Sequence, residues 1–184
     1  MMSDEIKIMV ELEEPVFRKF AIFDNLLRNG RWLLLAGFAA IMLGFAVICF
    51  VLRARAEGAV LLSCTLAAVG VALPSFYMWS FLRSIRSQVN NLNLKQSRYV
   101  YTLSLSQAPD GVKVYNGKEH AKYNWDSLYG AYRVSGCTYL YILSNRAFLL
   151  PDSQMEGGPE RLWTLLASRL PSDKLHDKRL KKSV

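Results

Sequence analysis

Hydrophobic and polar positions divide the chain into three regimes. Residues 6–12, IKIMVEL, alternate Ile6, Ile8, Val10 and Leu12 against Lys7, Met9 and Glu11, the period-two pattern of a strand. The next stretch, EEPVFRKFAIFDNLLRNG, changes to helical spacing, with Pro15 suited to a first turn and Gly30 to a stop. Val16, Phe20, Phe23 and Leu27 form its stripe, flanked by Phe17 and Ile22. Such a helix either lies in a membrane interface or packs on a soluble domain. A lone strand beside it needs a sheet to join, which favours packing. Then comes an apolar regime. Trp32–Leu52 supplies 21 residues, or about 31 Å of helix, the thickness of a hydrocarbon core. Ala59–Leu82 supplies a second such span. Arg53, Arg55 and Glu57 separate the two, and arginines in mid-bilayer cost several kcal/mol. RARAEG, Arg53 to Gly58, therefore reads as the tip of a hairpin rather than as an interruption of one segment.

The third regime is polar and then finely alternating. LRSIRSQVNNLNLKQS continues the second span as a linker helix over 83–98. YVYTLSLSQ places Tyr99, Tyr101, Leu103 and Leu105 on one face. Asp110-Gly111 marks a turn, Val112–Tyr115 a strand, and Asn116-Gly117 the strongest hairpin signal in the chain. HAKYNW aligns Ala121, Tyr123 and Trp125; LYGAYRV and TYLYIL pair across Ser135-Gly136; AFLLP follows a turn at Asn145. About six strands in hairpin order result. Pro159 and Pro171 bracket a last helix whose Leu162, Leu165, Leu166 and Leu170 would cover the open side of the sheet. The expected architecture is an α+β membrane protein. A strand and amphipathic helix (1–31) precede a two-helix transmembrane hairpin (32–52 and 59–82). After the linker helix come an antiparallel β-sheet domain capped by a C-terminal helix (99–171) and a basic tail (172–184). Pleckstrin-homology-like domains share this plan, as do other α+β domains.

Charge adds an orientation. Residues 1–31 carry five Lys/Arg against six Asp/Glu, whereas residues 83–184 carry sixteen against eight. Arg28 and Arg31 precede the first span, and Arg83, Arg86, Lys95 and Arg98 follow the second; the tip offers only Arg53 and Arg55. Six cations against two places both termini on the cytoplasmic side. Trp32, Tyr77 and Trp79 fall near that same surface, where interfacial aromatics belong. Inside the spans, Ala36, Ala40 and Gly44 recur every four residues, as do Ser63 and Ala67, a spacing that lets helices pack closely. Pro74 is placed to kink the second span. The span interiors hold no ionisable carboxylate, amine, guanidinium or imidazole, which argues against a transporter or proton relay.

Candidate chemistry is sparse. Cys49, Cys64 and Cys137 fit neither a disulfide framework nor a zinc site and read as plain thiols. His120 and His176 are the only near-neutral bases, one on a hairpin and one in the tail, and both read as solvated. Gly157-Gly158 before Pro159 reads as a helix start rather than a phosphate loop. Eight of the nine tyrosines lie between Tyr99 and Tyr141; a tyrosine-lined pocket would use them, but half-buried strands favour tyrosine anyway. No nucleotide, metal or hydrolase motif occurs, so neither an enzyme nor a cofactor is expected. The tail offers Lys174, Lys178, Arg179, Lys181 and Lys182 to anionic lipid, or to water alone. No nucleic-acid motif competes with lipid for this basic charge.

The stretch YNWDSLYGAYRVSGCTYLYILSNRAFLLPDSQM resembles the YcxB-like family of bacterial membrane proteins. Trp125 with Leu128 matches that family's tryptophan followed three residues later by an aliphatic. Tyr139-Leu140-Tyr141 matches its aromatic strand, and Ala147-Phe148-Leu149-Leu150-Pro151 its segment ending in proline. Basic residues usually follow that proline, whereas Asp152 and Ser153 follow it here. The resemblance implies two spans, a C-terminal domain of this kind and a bacterial inner membrane location, but no catalytic residue. The expected function is non-enzymatic: a two-span protein presenting a small cytoplasmic domain to a protein partner, a second copy or anionic lipid headgroups. The alternative is a membrane-embedded accessory subunit that recognises a larger complex through its small-residue helix faces.

Overall fold

The computed structural model describes residues 5–54, 58–94, 98–109, 111–117 and 120–179. Arg55, Glu57, Lys95, Asp110, Lys181 and Lys182, singled out above, lie outside the described residues. The chain forms two compact units, residues 21–93 and residues 1–20 with 94–184. The N-terminal segment therefore belongs to the same unit as the C-terminal domain, and that unit is not confined to 99–171.

In the helical unit, residues 23–28 form a π-helical turn that ends at Gly30, in the left-handed region. Helix α2 spans Arg31–Val51 and helix α3 Ala59–Asn91. Gly58, at φ +82°, takes up the left-handed backbone on which α3 starts. Pro74 sits inside α3 without ending it. The two helices touch along one face of α2, made by Leu35, Phe38, Ala39, Met42, Ala46 and Cys49, the residues least exposed on that helix. Ser63 donates a hydrogen bond to the Ala46 carbonyl at 2.8 Å. Such a bond holds two helices together where no water competes. Gly70 fits against Met42, whose Cβ would lie 2.9 Å from any Cβ at that position. At the other end Arg31 donates to the Tyr77 hydroxyl at 3.5 Å. The start of α2 and the Tyr77–Arg83 region of α3 are thus at one level, as the aromatic positions suggest.

In the second unit, strand β1 (Ile6–Leu12) leads into helix α1 (Glu14–Ile22). β1 pairs antiparallel with β2 (Arg98–Leu105), which continues through β3 (Val112–Tyr115) to β4 (His120–Tyr123) as a four-stranded meander. Its inner face is apolar: Ile8, Val10, Leu103, Leu105 and Val112 have no measurable exposure. A register shift at Val10/Glu11 pairs Glu11 with Tyr99 and skips Val100. Tyr99 is consequently turned to the outer face, contrary to simple alternation, because a bulge inverts the side on which later residues point.

The second sheet runs, edge to edge, Arg146–Pro151, Cys137–Leu143, Gly130–Val134 and Leu175–Asp177. Strands β5 (Gly130–Val134), β6 (Cys137–Leu143) and β7 (Arg146–Pro151) form the expected hairpins. Helix α4 (Gly158–Arg169) then buries Leu162, Leu165 and Leu166, with Leu170 just beyond it. Instead of one antiparallel sheet, then, there are two, and α4 is not the last element. Leu175–Asp177 forms β8, parallel to β5. A charged sequence such as DKLHDKR gives no apolar signal, but the open edge of β5 supplies backbone partners that it takes. Among the described residues the six expected strands become eight, with β1 and β8 joining from outside the expected domain.

Near the end of α1, and within this same unit, the Phe20 ring meets Tyr139 edge-on at 5.1 Å and Tyr141 at 6.3 Å. Beyond it the expected stripe fails at one position. Leu27 is 59% exposed, while Leu26 and Phe23 are buried. A π-helical turn bonds residue i to i+5, so the wider turn rotates Leu26 to where Leu27 would stand.

Candidate functional site

The outer face of the first sheet brings together lysines and aromatics from four strands, and strand register places them. Lys7 pairs with Ser104, Ser104 with Lys113, and Lys113 with Lys122, so a single row across four strands reads Lys-Ser-Lys-Lys. The neighbouring row, built the same way, reads Met9, Thr102, Tyr115, His120. Adjacent strands lie about 4.8 Å apart. The rows line a shallow, open concavity of about 680 Å³ to which Tyr99 also contributes. Tyr115 stacks on His120 at 4.5 Å. The Tyr99 hydroxyl lies 3.1 Å from Thr102 Oγ1 and donates to the Tyr115 carbonyl at 3.2 Å, which fixes the aromatic part of the face. Among the described residues no carboxylate lines the concavity itself, although Glu11, paired with Tyr99, is exposed on the same face beside it, and none of the three lysines is ion-paired.

A second polar constellation is internal. Arg133 on β5 is 1% exposed, and its guanidinium makes two bonds to Glu160 of α4, at 2.9 and 2.5 Å. It also lies over the Trp163 ring at 5.6 Å. Arg179 joins Glu160 at 3.2 Å and Asp177 at 2.7 Å. The hydrogen bonds from Arg133 hold the Glu160 carboxyl below its ordinary range, and those from Arg179 do the same for Asp177. Asp152, half-buried, moves the other way: burial raises it, partly offset by Arg133 and Arg179. Arg133 Nε, Thr138 Oγ1 and Asp152 Oδ1 are buried without a partner among the described residues, a pattern that a bound water satisfies. The arrangement ties β5, α4 and the start of the tail together. With its cation enclosed and already paired, it is built for cohesion.

The residues expected to carry function are distributed differently. On α2, Ala36, Ala40 and Gly44 are exposed, and a Cβ at Gly44 would meet nothing. At about 100° per residue their stripe lies roughly 150° around the helix from the face that α3 covers. Ser63 is buried on α3, where its hydroxyl bonds the Ala46 carbonyl, and Ala67 is half-buried on the same helix. In the tail, the Lys174 amine donates to the carbonyls of Leu128 at 2.8 Å and Asp126 at 3.1 Å, and Arg179 is held by its two carboxylates. Lys178 is exposed. The tail is thus folded into the domain as far as Arg179. His176 is half-buried on Tyr132 at 4.4 Å rather than solvated, whereas His120 is exposed.

The tyrosines are not gathered in one pocket: Tyr101, Tyr139 and Tyr141 are core residues, Tyr99 and Tyr115 line the concavity of the first sheet, and Tyr129 and Tyr132 line a separate depression. Trp125 and Leu128 are buried, the indole N–H reaching the carbonyls of Ala108 at 2.9 Å and Ser106 at 3.2 Å. Burial pushes the Cys137 thiol up to about 12, which leaves it protonated and inert. Gly157 and Gly158 are both left-handed and start α4. Among the described residues no group of three His, Cys, Asp or Glu side chains is placed to hold a metal.

Sequence reasoning missed the lysine row because Lys7, Lys113 and Lys122 lie on three separate strands. Each sits at a polar position of its own alternation, but only the register aligns them. No protein-family model, no curated protein and no solved structure matches the chain.

Proposed function

We propose that this chain is a two-span protein of the bacterial inner membrane that holds a non-enzymatic α+β interaction domain at the cytoplasmic face. The observation that carries the reading is the surface of the two long helices. The most apolar stretch of α2 is only 6% buried and that of α3 only 17%. Large side chains such as Leu34 (74%), Val51 (73%) and Leu61 (74%) stand exposed. A soluble monomer rarely leaves more than about 300–600 Å² of contiguous apolar surface in water. Two such helices far exceed that, and a bilayer is the solvent that suits them.

The remaining features agree with it. Arg31, Tyr77 and Trp79, with Arg83 over the Trp79 ring at 5.5 Å, form a cationic aromatic belt at one end of the pair. β1 precedes the hairpin and β2 follows it, yet the two are paired strands. That pairing requires an even number of crossings, which supports two spans with both ends on one side. The excess of cations flanking those ends assigns that side to the cytoplasm. A four-stranded meander, a three-stranded one and then a helix is the order of the pleckstrin-homology plan. With the hairpin set between β1 and β2, the layout also supports membership of the YcxB-like family that residues 123–155 resemble. The domain would engage a protein partner, a second copy or anionic lipid headgroups.

Extraction separates this reading from a peripheral or soluble protein. After expression, alkaline carbonate should leave the chain in the membrane pellet, and only detergent should release it. Quantitative release by carbonate would end the two-span proposal.

A further inference from the structure

The Lys-Ser-Lys-Lys row is an arrangement that folding alone does not favour. Lys113 and Lys122 are direct cross-strand partners, and like charges directly opposite one another destabilise a sheet. Lysine on an edge strand deters unwanted strand pairing, which accounts for Lys7 on β1 and Lys122 on β4. It does not account for Lys113, because β3 is an interior strand. The adjoining row is equally uneconomical in water. Met9 is 59% exposed and Tyr115 41%, on a face whose other side is a complete apolar core. Cations next to a patch of thioether and aromatic surface are what a membrane interface accommodates: amines at the headgroups, rings and methyls at the acyl boundary.

We propose that the outer face of the first sheet docks on an anionic bilayer surface, with Lys7, Lys113 and Lys122 paired to lipid phosphates and Met9, Tyr99 and Tyr115 set into the interface. The inference rests on the membrane reading above and deepens it, by naming the surface and its ligand. A free phosphate is the poorer occupant. Lys7 is three strands from Lys122, about 14 Å across the sheet, so the amines are spread along a line rather than converging on one anion. An array of headgroups matches that spacing. Three lysines and, among the described residues, no carboxylate line the concavity itself, with Glu11 standing beside Tyr99 at its margin, so its charge suits an anionic surface.

The test uses the full chain inserted in phosphatidylcholine nanodiscs and offered vesicles at low salt. It should capture vesicles containing phosphatidylglycerol, spare pure phosphatidylcholine, and lose capture as salt rises. At about 1 kcal/mol per cation reaching the surface, the triple variant K7Q/K113Q/K122Q should bind about 100-fold more weakly. R18Q/R146Q/R169Q, which removes the same charge from other exposed positions, should change binding by less than about fivefold.

Three results overturn the proposal: no capture by chain that has inserted normally, equal loss in both triple variants, or suppression by inorganic phosphate beyond that of chloride at the same ionic strength. Capture of polyglutamate beads but not of vesicles would also overturn it, in favour of an acidic protein partner. Failure to insert at all would instead count against the two-span reading. Thermal melting controls for folding, because removing opposed lysines should leave the melting temperature unchanged or raise it. Should the triple variant melt lower, the single Lys113→Gln, expected at about fivefold, decides between the same outcomes.

Discussion

Arg133 shows how one residue couples a strand, a helix and the tail. Its guanidinium is out of water on β5, while the carboxylate that balances it, Glu160, stands 73% exposed on α4. Removing the partner of an enclosed charge costs more than the pair itself contributes, because the charge that remains is unpaired. Glu160→Gln should therefore lower the melting temperature, and adding Arg133→Met should restore part of the loss. The carboxyls give this a pH dependence. Glu160 and Asp177 are held below their ordinary values of 4.5 and 3.8. Their contribution is fully present above those values and is lost as the pH falls through the lowered ones. Asp152, raised by burial, has the opposite sign: its ionisation costs stability as the pH rises above 3.8. Melting followed from neutral pH downward should show a steep loss below the ordinary carboxylate range. The slope should be shallower in Glu160→Gln. A loss of equal steepness in that variant would remove Glu160 from the account.

Elements are joined by side chains that imitate strands. The Tyr101 hydroxyl on β2 donates to the Leu149 carbonyl at 3.0 Å and accepts from the Leu149 amide at 2.7 Å, so it satisfies both backbone groups on the outer edge of β7. Gln154 does the same for Glu11 on β1, with its amide bonds at 2.9 and 2.8 Å. Between them the two sheets are pinned where their edges come together. Tyr101→Phe would leave a buried N–H and C=O without partners and should cost about 2–4 kcal/mol. Tyr123→Phe, whose ring packs on Phe148 without a hydroxyl partner, should cost less than about 0.5 kcal/mol. Denaturation of the full chain in detergent measures both; equal costs would mean that Tyr101 acts through its ring alone.

None of this was legible in the alternation, which names a face for each residue but not its partner. It assigned the strands from Val112 to Pro151 correctly because Asn-Gly and Ser-Gly turns fix local pairings. It missed β8, a strand made by an available edge rather than by apolar content. It misplaced Leu27 and Tyr99 because a π turn and a bulge each insert one residue into a regular period. On α2 the face that meets α3 is not the one that carries Ala36, Ala40 and Gly44, for a related reason. Small residues permit close approach without requiring it, and the observed face is the one where Ala46 meets Ser63.

At the scale of the whole molecule, the defining feature is that the hairpin interrupts the domain. β1 and β2 are neighbours in the sheet but lie more than 85 residues apart in the chain. The two apolar runs were plain in the sequence, each long enough and apolar enough to cross a membrane. What the sequence left open was whether the N-terminal strand belongs to the sheet. Ile6, Ile8, Val10 and Leu12 answer it by completing the core of the first sheet. The cationic face follows from that closure, because Lys7 reaches the row only when β1 is in place.

The claim that both ends of the hairpin return to one side of a membrane is best tested by dual topology reporters fused in turn to each terminus. The structure and the cation distribution together predict cytoplasmic reporter activity from both fusions and no activity from a reporter that works only outside the cytoplasm. Activity on opposite sides at the two termini would contradict the paired β1 and β2, and external activity at both would reverse the assigned orientation.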